Sequence, residues 1–281
     1  MEGQVLTRII SPSDFKKIIP FSTDEKKRAL ELTKPDVEKI LKNDAQFKKN
    51  IPRSGILVPT SFSLNDGIWL KNAKSYVWKF SLHAERAKFL SFYFSGIQFP
   101  EGTELFIHSK DKRMVVGPVV KSNLYDGSYV SDMINGDEAT VLVVIPKTSK
   151  KGDFKIELIN ISYGIQKNGS RFFGDSQPCN NNINCSVGSA WGDVRNGVAQ
   201  IYTGESSCTG SLVQDECESG RSFFLTAFHC LDKNGDGVFS KSELATLPNW
   251  VLRFFYESPT CPNIEPTEWV TYFGTQFRAG W

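Results

Sequence analysis

Cysteine placement divides this chain in two. All six cysteines lie between Cys179 and Cys261, and residues 1–178 contain none. A cysteine-free stretch must hold itself together by its own buried core, whereas a cysteine-bearing one can rely on crosslinks or a metal. No C-x-x-C pair is present, and His229 is the one histidine among the cysteines, which argues against a zinc centre. Disulfides are therefore expected, and with them an oxidising, extracellular destination: a secreted protein. Composition narrows the partners further. A net charge of +2 on 281 residues gives no reason to expect nucleic acid or an anionic membrane. No apolar run approaches the roughly 20 residues that span a bilayer, so no membrane span is expected. The opening Met1-Glu2-Gly3-Gln4 carries no basic segment leading into an apolar one, so no secretory signal is visible.

Four segments follow along the chain. Residues 1–51 are a charged leader, with a helix-like stretch from Asp24 to about Leu41, interrupted by Pro35 and expected to be solvated. From 52 to 165 the pattern is that of short strands. Tyr76, Trp78, Phe80 and Leu82 alternate with Ser75, Val77, Lys79 and Ser81, the period of two that buries one face. Leu90, Phe92 and Phe94 repeat it, and 105–107, 115–120, 139–145 and 154–163 add strands at sandwich-like spacing. An all-β domain of two packed sheets is predicted. His83 and His108 fall inside it without an acidic or cysteine partner at any recognisable spacing, read as ordinary strand residues, and carry no assigned chemistry. Residues 166–178 form a polar linker with Lys167 and Arg171, the composition at which proteolytic nicking concentrates. Asn160, Asn168 and Asn184 sit in N-x-S sequons that matter only in a glycosylating host. From 179 to 281 strands resume, at 198–203, 208–213, 223–226, 251–257 and 268–273, and read as a second all-β unit.

Two stretches carry chemistry: Ser207-Cys208-Thr209-Gly210-Ser211-Leu212-Val213 and Phe224-Leu225-Thr226-Ala227-Phe228-His229-Cys230. They resemble the C-x-G-[ST]-L strand and the L-T-A-x-H-C segment of trypsin-like serine endopeptidases. The chain is most similar to the secreted bacterial lysyl endopeptidase-like subgroup, whose mature domain opens with a C-x₅-C pair, as Cys179 and Cys185 do here. The resemblance implies an N-terminal β-sandwich-like propeptide domain, followed by the first half of a chymotrypsin-like double β-barrel. It implies protein or peptide substrates and a propeptide that packs on its own protease domain. It also implies the pairs Cys185–Cys261 and Cys208–Cys230, with Cys179 directed to a cysteine farther downstream and Cys217 outside the pattern. Closing the Cys208–Cys230 loop would contribute roughly 3 kcal/mol by chain entropy. His229 takes the role of general base, accepting the proton of a serine hydroxyl and returning it to the leaving amine.

The same resemblance marks what is missing. No G-[DS]-S-G segment and no S-D-[FL]-x-L strand occurs, and in the family Ser211 is a barrel strand residue rather than a nucleophile. The chain is thus expected to be the front part of a precursor, inactive as given. An exposed inter-barrel face would make it prone to associate.

A second signal follows His229 directly. Asp232, Asn234, Asp236, Val238, Ser240 and Glu243 stand at positions one, three, five, seven, nine and twelve of a calcium loop, with Gly237 at six. Calcium needs six or seven converging oxygens, and the glycine permits the sharp turn. A structural Ca2+ is expected; a sensor is not, since only one loop exists. The alternative to a protease precursor is a non-catalytic secreted β-domain protein that carries this loop for binding.

Overall fold

The computed structural model describes residues 3–21, 29–46, 52–70, 72–165, 179–217 and 219–280. The linker expected at 166–178, with Lys167, Asn168 and Arg171, lies outside them.

Seventeen strands appear among these residues. In the first part they are β1 (Val5–Ile9), β2 (Leu30–Glu31), β3 (Gly55–Ser63), β4 (Ile68–Leu70), β5 (Ser75–His83), β6 (Phe89–Gln98), β7 (Glu104–Ser109), β8 (Met114–Val119), β9 (Tyr129–Val130), β10 (Ile134–Asn135), β11 (Glu138–Pro146) and β12 (Lys155–Gly164). In the second they are β13 (Val198–Tyr202), β14 (Ser207–Val213), β15 (Phe223–Thr226), β16 (Val251–Phe254) and β17 (Glu268–Phe273). Three α-helices accompany them: α1 (Pro12–Ile18), α2 (Val37–Gln46) and α3 (Lys241–Leu244). The chain is all-β in class, as the alternation predicts.

Two sheets face each other over residues 52–165. One runs β8-β7-β11-β5, the other β10-β6-β12-β3, both antiparallel. Their inward residues form one core: Trp78, Phe80 and Leu82 of β5 and Val141, Val143 and Ile145 of β11 meet Leu90, Phe92 and Phe94 of β6. These are the positions the period of two selects.

Of the solvated helix expected from Asp24 to about Leu41, residues 24–28 lie outside the described residues, Leu30–Glu31 is strand β2, and only α2 is helical, with no buried side chain over 37–45. Pro35 disfavours helical backbone before it, so α2 starts only at Val37, where Asp36 accepts the Lys39 N–H at 3.1 Å. Upstream, α1 begins at a Ser11 cap followed by Pro12, and buries Phe15 and Ile19 against Phe106, Val115 and Leu142 on the outer sheet face. The leader also supplies β1, which enters the sheet.

That strand joins the two parts of the chain. β1 pairs with β8 on one edge and with β17 on the other, so the larger sheet runs β15-β14-β13-β16-β17-β1-β8 and onward. The barrel half expected for 179–281 is therefore not closed among the described residues: β17 bonds to β1 instead. β16 also stops at Phe254, short of the expected 257, because Phe255 takes a left-handed φ of 61° that a strand cannot accommodate.

The junction has its own core, in which Phe89, Tyr93, Val130 and Met133 pack with Tyr202 and Val251. Asp132, 1% exposed, sits beside it. Its carboxylate accepts from Arg253 Nε at 2.6 Å, Trp269 Nε1 at 2.7 Å, Thr7 Oγ1 at 2.9 Å and the Met133 N–H at 2.8 Å. A buried charge of this kind is tolerable only when its partners are complete. Arg53 adds a second tie, to Asp44 and to Glu205, whose backbone carbonyl also accepts the Ser54 and Gly55 N–H groups.

Candidate active site

β14 and β15 form the hairpin that carries His229. Gly210 lies opposite Thr226 in the ladder. A Cβ there would stand 2.3 Å from the Phe224 ring and 2.5 Å from the Leu225 carbonyl oxygen, so only glycine lets the strands approach. Thr226 then donates its hydroxyl to the Thr209 carbonyl at 2.9 Å. Beyond it Ala227 is extended and Phe228–Cys230 make one 3₁₀ turn, closed by the Cys230 N–H on the Ala227 carbonyl.

His229 is held from both sides. On one, Cys230 is bonded to Cys208 of β14 and buried in the core with Ile201, Leu231 and Leu252. On the other, Phe228 stacks on Phe239 with ring centroids 4.1 Å apart, and Phe239 meets Phe277 edge-on. The imidazole itself is exposed. Its neighbours are fixed while the residue stays exposed. No described residue hydrogen-bonds the ring. Ser211 donates instead to the Leu212 carbonyl at 3.1 Å, in keeping with a strand residue. The disulfides are Cys185–Cys261 and Cys208–Cys230, with Cys179 and Cys217 free and exposed.

The loop after His229 is folded around Asp232, which is buried. Its Oδ1 accepts the N–H groups of Gly235 and Asp236, and Oδ2 accepts that of Gly237 at 3.0 Å. Gly237 has a φ of +79° and nothing within 4 Å of a Cβ, so conformation alone demands glycine. Asn234 and Asp236 bond to each other, and Asp236 accepts the Val238 N–H at 2.9 Å. Ser240 and Glu243 form a capping box at the start of α3. Burial opposes the Glu243 charge, yet the Ser240 hydroxyl and the N–H groups of Ser240, Lys233 and Asn234 hold its carboxyl below the usual range. Among the described residues, the one group of His, Cys, Asp or Glu ligand atoms within 4.8 Å of one another is Cys208, His229 and Cys230. The three loop carboxylates are not gathered to that distance, and Glu243 serves as a cap.

Sequence reading missed the link from this loop to the rest of the chain. Lys233 Nζ reaches Glu205 at 3.3 Å, and Glu205 holds Arg53. The one sequence signal for such long-range partners is a charge set among apolar residues, as with Asp132 in Val130-Ser131-Asp132-Met133.

The hairpin lies within a stretch that is similar in sequence to known proteins. Residues 173–278 match the family "Lysyl endopeptidase, C-terminal domain". The lysyl endopeptidase of Pseudomonas aeruginosa is 31% identical over 146 residues, which cover 47% of this chain and 29% of that protein. The chain therefore spans less than a third of that relative's length. Among solved structures, an isomalto-dextranase of Arthrobacter globiformis T6 in complex with panose aligns at a TM-score of 0.17 and 14% identity, over 34% of this chain and 18% of that one. So low a score carries no argument. Over residues 173–278 the chain is lysyl endopeptidase-like.

Proposed function

We propose that this chain is part of the precursor of a secreted serine endopeptidase, with His229 as its general base. The observation that carries this is the presentation of His229: exposed, at the end of a strand, on a turn bonded by Cys230 to Cys208. In peptide hydrolysis such an imidazole takes the proton of the attacking serine and returns it to the leaving amine. Residues 52–165 act as the propeptide domain, docked on the protease part through β1, Asp132 and Arg53. Cleavage within 166–178, at Lys167 or Arg171, would separate the two in sequence. The serine and aspartate of the triad are not assigned to any described residue, so hydrolysis by this chain alone is not expected. Assayed on lysyl and arginyl peptides, it should show no turnover above background. Turnover that survives His229→Ala would overturn the assignment.

Calcium belongs to the same proposal as a structural ion. Asp232, Asn234, Asp236, the Val238 carbonyl, Ser240 and Glu243 would hold it, and the loop's spacing and two positive-φ glycines, Gly235 and Gly237, support that reading. Bound there, it would stiffen the rim that carries His229. Calcium should raise the Tm of the chain and leave that of Asp232→Asn unmoved; equal shifts in both would remove the ion from the account.

A further inference from the structure

His83 lies between two carboxylates that its own strand does not supply. Its Nδ1 is 2.6 Å from Glu31 Oε2, and its Nε2 is 3.7 Å from Asp137 Oδ2. Glu31 belongs to β2, the leader's two-residue strand. β2 pairs in parallel with β5 at the end of the larger sheet, Leu30 opposite Leu82 and Glu31 opposite His83. Alternation gives the leader segment two faces. Leu30 and Leu32 turn inward onto the sandwich core, and Glu31 turns outward beside the imidazole. The Leu32 N–H donates to the His83 carbonyl at 2.8 Å, so the backbone and the side chain of one residue hold the same segment.

We propose that protonated His83 is a clasp that keeps the leader strand Leu30–Glu31 on the β5 edge, and that loss of the proton loosens it. A carboxylate only accepts, and a neutral imidazole has a single N–H. Both ring nitrogens can therefore face carboxylates as donors only in the doubly protonated ring. Two residues of ladder hold little by themselves, which gives the side-chain contact its weight.

The surrounding charges favour the proton. Asp137 sits in the turn before β11, its carbonyl accepting the Ala84 N–H at 2.7 Å. Glu138 lies opposite His83 in the β5–β11 ladder and is paired with Lys110 at 2.7 Å. In the turn after β5, Glu85 and Arg86 pair with each other at 3.4 Å. The hydrogen bond to Glu31 and the charges of Glu31, Asp137 and Glu138 raise the His83 pKa above its usual 6.5, against the cost of desolvation. Because the docked strand tightens the hold on the proton, the proton tightens the hold on the strand. Attachment is strongest below pH 6.5 and weakens as the pH rises through the raised value.

Release uncovers Leu30 and Leu32, leaves the 82–83 end of the β5 edge unpaired, and makes the leader a better target for proteolysis. A part for that step in maturation rests on the proposed function; the clasp does not.

The test uses the full chain. Proton NMR should give the His83 imidazole a midpoint above 6.5 that falls in Glu31→Gln. Hydrogen exchange at the Leu32 N–H, corrected for the intrinsic pH dependence of exchange, reads the strand itself. Its protection should fall about two- to fivefold between about pH 5.5 and about pH 8.5, the usual worth of an exposed ion pair. No such fall is expected in His83→Gln. Equal Leu32 protection at both pH values would overturn the proposal, as would an equal fall in His83→Gln or a midpoint that Glu31→Gln leaves unmoved. None of these outcomes touches the assignment of His229 as base, which peptide hydrolysis tests separately.

Discussion

Gly210 shows how one missing atom sets the geometry around His229. The backbone of β14 passes so close to Phe224 and the Leu225 carbonyl that a methyl group has no place. Gly210→Ala should therefore destabilise the chain by about 1–3 kcal/mol, the usual cost of forcing a strained core contact. Urea unfolding checks this, and an unchanged midpoint would contradict the reading. The disulfide-tied turn that carries His229 is legible in the sequence because its fixing residues are local: Thr226, Phe228 and Cys230 lie within the same short segment, and Cys208 is one strand away. Asp132 is not. Its partners Arg253 and Trp269 are 121 and 137 residues distant, and no local pattern announces them.

The elements were legible where periodicity was clean. β5, β6, β11 and β12 bury the alternating residues that one solvated or covered face requires. The leader hid its structure, because Lys and Asp residues surround the few that matter. Phe15 and Ile19 of the α1 segment are buried, and Phe15 meets His108 edge-on at 5.0 Å. His108 thus lies under a helix rather than on an ordinary strand surface. Its Nδ1 donates to the Ser109 carbonyl at 2.8 Å, while its Nε2 is buried without a partner. Burial pushes the imidazole from 6.5 down to about 4, with Lys112 and Lys79 adding to the effect and Ser109 and Asp111 opposing it. Folding therefore competes with protonation once the unfolded chain starts to bind the proton. Stability should be level above pH 6.5 and fall as the pH drops towards about 4, by about 3 kcal/mol at most. Denaturation at several pH values, compared with His108→Phe, measures this. A variant as acid-sensitive as the parent would contradict it.

At the scale of the molecule, the cysteines divide the chain by its stabilising chemistry. The disulfides lie on one side, yet β1 joins strands of both sides in the larger sheet, and the core around Tyr202 and Val251 and the Asp132 network are shared between them. Composition could separate the parts but not show their junction, since pairing of β1 with β17 joins residues 260 or more apart in sequence. One cooperative unfolding transition is expected. Asp132→Ala leaves Arg253 buried without its counter-ion and should cost about 3–5 kcal/mol. Calorimetry that resolved two transitions in the unsubstituted chain, or a loss under about 1 kcal/mol in Asp132→Ala, would contradict a coupled junction. The central claim is that His229 is the base of a peptide-hydrolysing triad. Its most direct measurement is kcat/KM on a lysyl peptide for a chimera in which this chain continues into the remainder of the P. aeruginosa relative. Hydrolysis that His229→Ala reduces by about 10⁴-fold or more is expected, whereas an active chimera indifferent to His229→Ala would contradict that role.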